Sequence, residues 1–82
     1  MSETTESPPL LELVADVLGV GVVDLSEESG PATLAAWTSR KHLELVVTLE
    51  EFYGVSLSYS EIRGLRSISA AKRILAAKGV GV

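Results

Sequence analysis

Between Trp37 and Gly54 the chain repeats apolar residues at helical spacing, and this run limits the fold more than any other feature. Leu45, Val46, Leu49 and Tyr53 fall at i, i+1, i+4 and i+8, which is one broad buried face of an α-helix. Thr38 and Ser39 stand at its start. Either side chain suits an N-cap, because its oxygen accepts an orphan backbone N–H. Gly54 stands where the helix should stop, as a left-handed C-terminal residue. The opposite face carries Arg40, Leu43, Glu44, Val47 and Glu51 at i, i+3, i+4, i+7 and i+11. That stripe mixes apolar and charged residues and is predicted to face solvent. A lone exposed Leu is ordinary, but Leu43 and Val47, one turn apart and flanked by carboxylates, suit a surface that docks onto a partner.

The rest of the chain reads as helices around this one. Residues 1–7 are polar and read as a disordered tail. Ser7 suits an N-cap and Pro8 a first helical position. Leu10, Leu13, Val14, Val17 and Leu18 then form an apolar face, with Glu12 and Asp16 opposite and a stop at Gly19 or Gly21. Residues 19–37 form a long connection rich in glycine and acidic residues, with Val22, Val23, Leu25 and Leu34 as its expected apolar pegs. Gly19-Val20-Gly21 is no dinucleotide fingerprint: no strand precedes it and the third glycine is missing. Ser58 and Glu61 fit a capping box for a short third helix, with Ile62 and Leu65 buried. Ser67 can cap a fourth helix, Ile68 to Lys78, with Ile68, Ala71, Ile74 and Leu75 facing inward. Gly79 ends it and residues 80–82 read as a frayed end. No segment alternates for long enough to form a strand. The expected fold is all-α, a small antiparallel four-helix bundle of three longer helices and one short third helix, with residues 8–79 as its single domain.

Composition narrows the function classes. Hydrophobic residues make up 46% of the chain and aromatic ones 5%, so the core should be aliphatic. The net charge of −4 argues against a basic nucleic-acid surface. Charge is nevertheless polarised: residues 52–82 hold five of the seven basic residues and one of the eleven carboxylates. With no cysteine, thiol chemistry needs a thiol brought by a cofactor. No paired catalytic carboxylates, metal cluster or nucleophile–base pair appears, so an enzyme is not expected. The acidic, polar start is not a signal peptide, and the apolar stretch from Leu10 to Val23 is broken by Glu12 and Asp16 and too short to span a bilayer. A cytoplasmic monomer is the expectation. Trp37 is expected to be a buried anchor for the loop, His42 a surface histidine, and Glu50 part of a solvated helix face with Glu44 and Glu51.

The central stretch resembles the acyl carrier protein family. That family has Asp-Ser-Leu followed by a helix of the form x-x-x-Glu-Leu-Val-x-x-Leu-Glu-Glu. Here Thr38-Ser39-Arg40 is followed by Lys41-His42-Leu43 and Glu44-Leu45-Val46-Val47-Thr48-Leu49-Glu50-Glu51, with no gap. The likeness runs on through Tyr53-Gly54-Val55-Ser56-Leu57 to Leu65-Arg66-Ser67-Ile68, and covers residues 10–78. It implies an acyl-carrier-like bundle in which Ser39 carries covalent 4′-phosphopantetheine. It also implies that Thr38, Arg40, Leu43, Glu44, Val47 and Glu51 meet partner proteins: a phosphopantetheinyl transferase and acyl-loading, acyltransferase or ketosynthase enzymes. Thr38 replaces the family's aspartate and Arg40 its leucine. This departure favours a discrete carrier of polyketide or related natural-product assembly over a general fatty-acid carrier. The alternatives are an aminoacyl or peptidyl carrier, and a helical interaction module in which Ser39 is only a cap.

Overall fold

A computed structural model describes residues 9–81; the capping role expected of Ser7 and Pro8 and the reading of residues 1–7 as a tail lie outside them. Four α-helices follow in order: α1 (Pro9–Leu18), α2 (Ser39–Tyr53), α3 (Tyr59–Arg63) and α4 (Ile68–Ala77). There is no strand among the described residues. The small all-helical bundle is therefore the fold, with α3 as its short member.

The core is aliphatic apart from Trp37, as the low aromatic content implies. Leu10 and Val14 of α1, Leu45 and Leu49 of α2, Leu65 before α4, and Ile68 and Leu75 of α4 are the largest fully buried side chains. Each contributes about 1.5–3 kcal/mol by leaving water. Leu13, Val17, Ile62, Ile74 and Tyr53 are half-buried at its margin. Ala15 and Ala70 are buried as well. The Tyr53 hydroxyl is buried with no hydrogen-bond partner among the described residues, and burial raises its pKa above the usual 10.0.

Three helices end with one device. Gly19, Gly54 and Gly79 all have positive φ, and each is followed by a valine. The amides of Val20, Val55 and Val80 donate back to the carbonyls of Ala15, Glu50 and Leu75 at 3.0–3.1 Å. All three valines pack against the core, the apolar contact that accompanies such C-caps. Val80, read from sequence as part of a frayed end, is thus held by both its amide and its side chain.

The long connection is more ordered than its composition suggests. It contains a single 3-10 turn, Val22–Asp24. Leu25 and Leu34 pack against the core as expected, but Val23 is 93% exposed, because that turn directs it outward; Val20 packs there instead. Further on, the Ser29 carbonyl accepts the Ile68 amide at 3.0 Å and the Glu27 carbonyl accepts the Ser69 amide at 2.9 Å. Ser67 Oγ takes the Ala70 amide at 3.0 Å. These three acceptors satisfy the donors that the start of α4 cannot satisfy itself. The Glu27 carboxylate also pairs with Lys72 of α4. The approach is so close that a Cβ on Gly30 would lie 1.9 Å from the Arg66 carbonyl oxygen. Glycine is required there by contact distance, since only a hydrogen fits.

Candidate functional site

The start of α2 is defined by Thr38. Its backbone is extended and its Oγ1 accepts the Lys41 amide at 3.2 Å, the geometry of an N-cap. Ser39 is therefore the first helical residue and not the cap. It is exposed, and no hydrogen bond engages its hydroxyl among the described residues. The His42 amide already donates to the Thr38 carbonyl at 2.8 Å. The Ser39 and Arg40 amides are left as donors at the positive end of a 15-residue helix. Helix-end donors of this kind favour a phosphate group.

Ser39 lies at the edge of a groove of about 910 Å3. The loop supplies one wall with Pro31, Ala32 and Trp37; α2 supplies a second with Thr38, Ser39, His42 and Leu43. The third wall is the corner between α3 and α4, with Arg63, Leu65 and Arg66. Trp37 is 2% exposed and anchors the loop, as expected. Its Nε1–H donates to His42 Nδ1 at 3.0 Å, and His42 Nε2 lies 2.9 Å from the Ile62 carbonyl. Indole is a donor only, so Nδ1 must accept and Nε2 must carry the proton that it gives to Ile62. His42 is thus not the surface histidine expected. It is half-buried and ties the loop, α2 and α3 together, and both of its nitrogens are committed. Nothing about an isolated histidine signals such a bridge, which depends on three segments meeting.

The outer stripe of α2 is placed as the spacing predicts. Arg40, Glu44 and Glu51 are exposed, Leu43 is 61% exposed and Val47 51%. Leu43 and Val47 are thus two large apolar side chains exposed one turn apart. Lys41 pairs with Glu44 at 3.6 Å, while Arg40 has no carboxylate partner among the described residues. Glu50 differs from its two neighbours. Its Oε2 accepts the Leu57 amide at 2.8 Å and so pins the connection between α2 and α3. At α3 the expected capping box is present, with Ser58 Oγ and Glu61 Oε1 accepting each other's amides at 3.1 and 2.8 Å. Glu61 also meets Lys78 at 2.9 Å. The Lys78 hydrogen bond, followed by that from the Ser58 amide, holds the Glu61 carboxyl below its usual 4.5.

Arg63 and Arg66 were not singled out from sequence, although both belong to the basic final third of the chain. Arg63 sits over the Tyr59 ring, 5.6 Å from its centroid. That they line the same groove as Ser39 follows from the fold and has no local signal. Among the described residues, no group of three or more histidines, cysteines or carboxylates is arranged to hold a metal, and no helix is long and apolar enough to cross a membrane.

No family model matches the chain. It is similar to polyketide-8 synthase acyl carrier protein 2 of Streptomyces avermitilis, with 33% identity over 82 residues that cover 95% of this chain and 94% of that protein. Likeness at this level along nearly the whole of both chains, in a four-helix domain with the central helix described above, shows that the protein belongs to the acyl carrier protein family.

Proposed function

We propose that the protein is a discrete, non-catalytic carrier of polyketide assembly that holds acyl intermediates as thioesters on 4′-phosphopantetheine attached to Ser39. The observation that carries this reading is the division of labour at the start of α2: Thr38 caps the helix, and Ser39 is exposed beside a groove that it lines, its hydroxyl unbonded among the described residues. The place of its Streptomyces relative among polyketide synthase carriers supports the pathway class.

The residues around Ser39 suit the arm. The free first-turn amides favour a phosphodiester, Arg40 adds a cation beside it, and among the described residues no carboxylate lines the groove. When attached, the arm supplies the terminal thiol that a chain without cysteine lacks. The protein's own residues position and present it. Thr38 fixes the first turn; the Trp37–His42–Ile62 bridge holds the groove's walls in register; Leu43 and Val47, with Glu44 and Glu51 around them, offer the surface on which a phosphopantetheinyl transferase and acyl-transferring enzymes dock. Committed on both nitrogens, His42 is not a base for Ser39, and activation of the hydroxyl falls to the transferase.

Intact-mass measurement tests the proposal. With a promiscuous phosphopantetheinyl transferase and coenzyme A, the wild type should gain one phosphopantetheine and Ser39→Ala none. A modified Ser39→Ala, or a wild type that stays unmodified with several transferases, would overturn it. The group then attached by the loading enzyme, acyl or aminoacyl, distinguishes polyketide from peptide assembly.

A further inference from the structure

The groove beside Ser39 has an unusual inventory of hydrogen-bonding groups. Thr38 Oγ1 is taken by the Lys41 amide, the Trp37 indole by His42, and both His42 nitrogens by Trp37 and Ile62. The Ser39 hydroxyl is the proposed attachment point. Among the described residues that line the groove, the polar side chains left to read a ligand are Arg63 and Arg66. Lys41, Lys72 and Lys78 each meet a carboxylate, while these two arginines meet none among the described residues. Both stand on a braced corner: Arg63 rests on Tyr59, and the Arg66 carbonyl is packed against Gly30. The rest of the groove is the apolar surface of Pro31, Ala32, Trp37, Leu43 and Leu65. Its volume of about 910 Å3 is that of a small-molecule site, for which about 300–1,000 Å3 is usual.

We propose that Arg63 and Arg66 retain, inside this groove, the free end of an arm-borne acyl chain that terminates in a carboxylate. The proposal rests on Ser39 being the attachment point. A planar guanidinium fork matches a carboxylate and accepts it in two parallel hydrogen bonds. The apolar walls cover the chain's methylenes. A chain ending in a methyl group would press against two guanidinium groups without pairing them, and the groove would reject it in favour of solvent or a partner enzyme. The site thus sorts cargo by its distal end: carboxylate-ended chains fold back and are shielded, and neutral ones stay extended.

The test uses the arm-bearing protein loaded with glutaryl or with its amide-ended counterpart of equal size. The readouts are the Trp37 indole and the Arg63 and Arg66 Nε–H resonances, and the rate at which hydroxylamine cleaves the thioester. The glutaryl chain should shift all three resonances and be cleaved about fivefold more slowly, the scale of one partly exposed ion pair. The amide-ended chain should do neither. In a folded Arg63→Gln/Arg66→Gln double variant the two chains should behave alike, and in the wild type the difference should shrink as salt rises. Equal behaviour of the two chains in the wild type, or a difference that survives in the double variant, overturns the proposal and leaves Ser39 attachment intact. Failure to gain the arm at all overturns both.

Discussion

Gly30→Ala should destabilise the protein by about 2–6 kcal/mol, although the residue lies in a loop. The new Cβ would fall 1.9 Å from the Arg66 carbonyl oxygen and 2.8 Å from its carbon, both rigid backbone atoms. Ordinary contact begins near 3.4 Å, so the loop and the corner before α4 must part by more than an ångström. The hydrogen bonds Ile68 N–H to Ser29 O and Ser69 N–H to Glu27 O, now 3.0 and 2.9 Å, would then exceed bonding distance. Each lost bond costs about 0.5–1.5 kcal/mol, and overpacking adds about 1–3 kcal/mol. A loss in this range is large against the roughly 5–15 kcal/mol that holds a domain folded. For a domain of this size each kcal/mol lowers the melting temperature by about 4–8 °C. Urea and thermal denaturation followed by circular dichroism measure the loss. Hydrogen exchange at the Ile68 and Ser69 amides locates it. Gly81→Ala is the control, since nothing lies within 4 Å of its Cβ position. A Gly30→Ala protein within about 1 kcal/mol of wild type, with both amides still protected, would refute the argument that this contact caps α4.

Three further outcomes follow from the geometry. His42→Ala leaves the buried Trp37 indole N–H without its acceptor; it should cost about 1–3 kcal/mol in urea denaturation and alter tryptophan fluorescence in the native state. A carboxyl whose folded pKa is lowered stabilises above its unfolded value, here near 4.5, and that contribution is lost as pH falls through the lowered value. Urea midpoints measured from neutral pH into the acid range should therefore fall less steeply for Glu61→Gln than for wild type. Arg40→Leu should slow loading or transfer by the dedicated partner enzyme and improve acceptance by general fatty-acid enzymes, with a contrast that shrinks at high salt; paired kinetics with both enzyme sets measure it.

What the sequence made legible was local. Apolar spacing placed the core faces of α1, α2 and α4, and cap chemistry placed Thr38, Ser58 and Ser67, because each signal lies within one helix of its effect. The same locality kept Ser39 ambiguous between cap and free hydroxyl, since two adjacent residues were both competent caps. Only backbone geometry decides that Thr38 takes the role. Glu50 and His42 were misread for a related reason. Each occupies a plausible solvent-facing position on α2, and each is turned inward by a backbone group from a distant segment, Leu57 or Ile62. Val23 was misread because it lies in a turn of 3-10 helix, where apolar spacing does not reveal which side is exposed. The groove was not legible at all. Its three walls come from residues 31–37, 38–43 and 63–66, and only the second lies along a long periodic element.

The contact at Gly30 links the stability of the fold to the dimensions of that groove. Pro31 and Ala32, which form one wall, follow Gly30 directly; Arg66, which forms part of another, is the residue whose carbonyl Gly30 touches. The separation of the two walls is therefore set where two backbones meet, and not by side chains that could repack around a ligand. The third wall is tied to both by His42, through Trp37 on the loop and Ile62 on α3. A groove braced in this way has little freedom to widen for one chain and close on another. On the proposal above, discrimination between cargoes then falls to Arg63 and Arg66, whose exchange removes the Arg63–Tyr59 contact but leaves the backbone contact at Gly30 and the His42 bridge in place. Gly30→Ala should part the walls and weaken cargo retention even at temperatures where the protein remains folded, whereas exchange of the two arginines should change which chain is retained and leave the fold as it is.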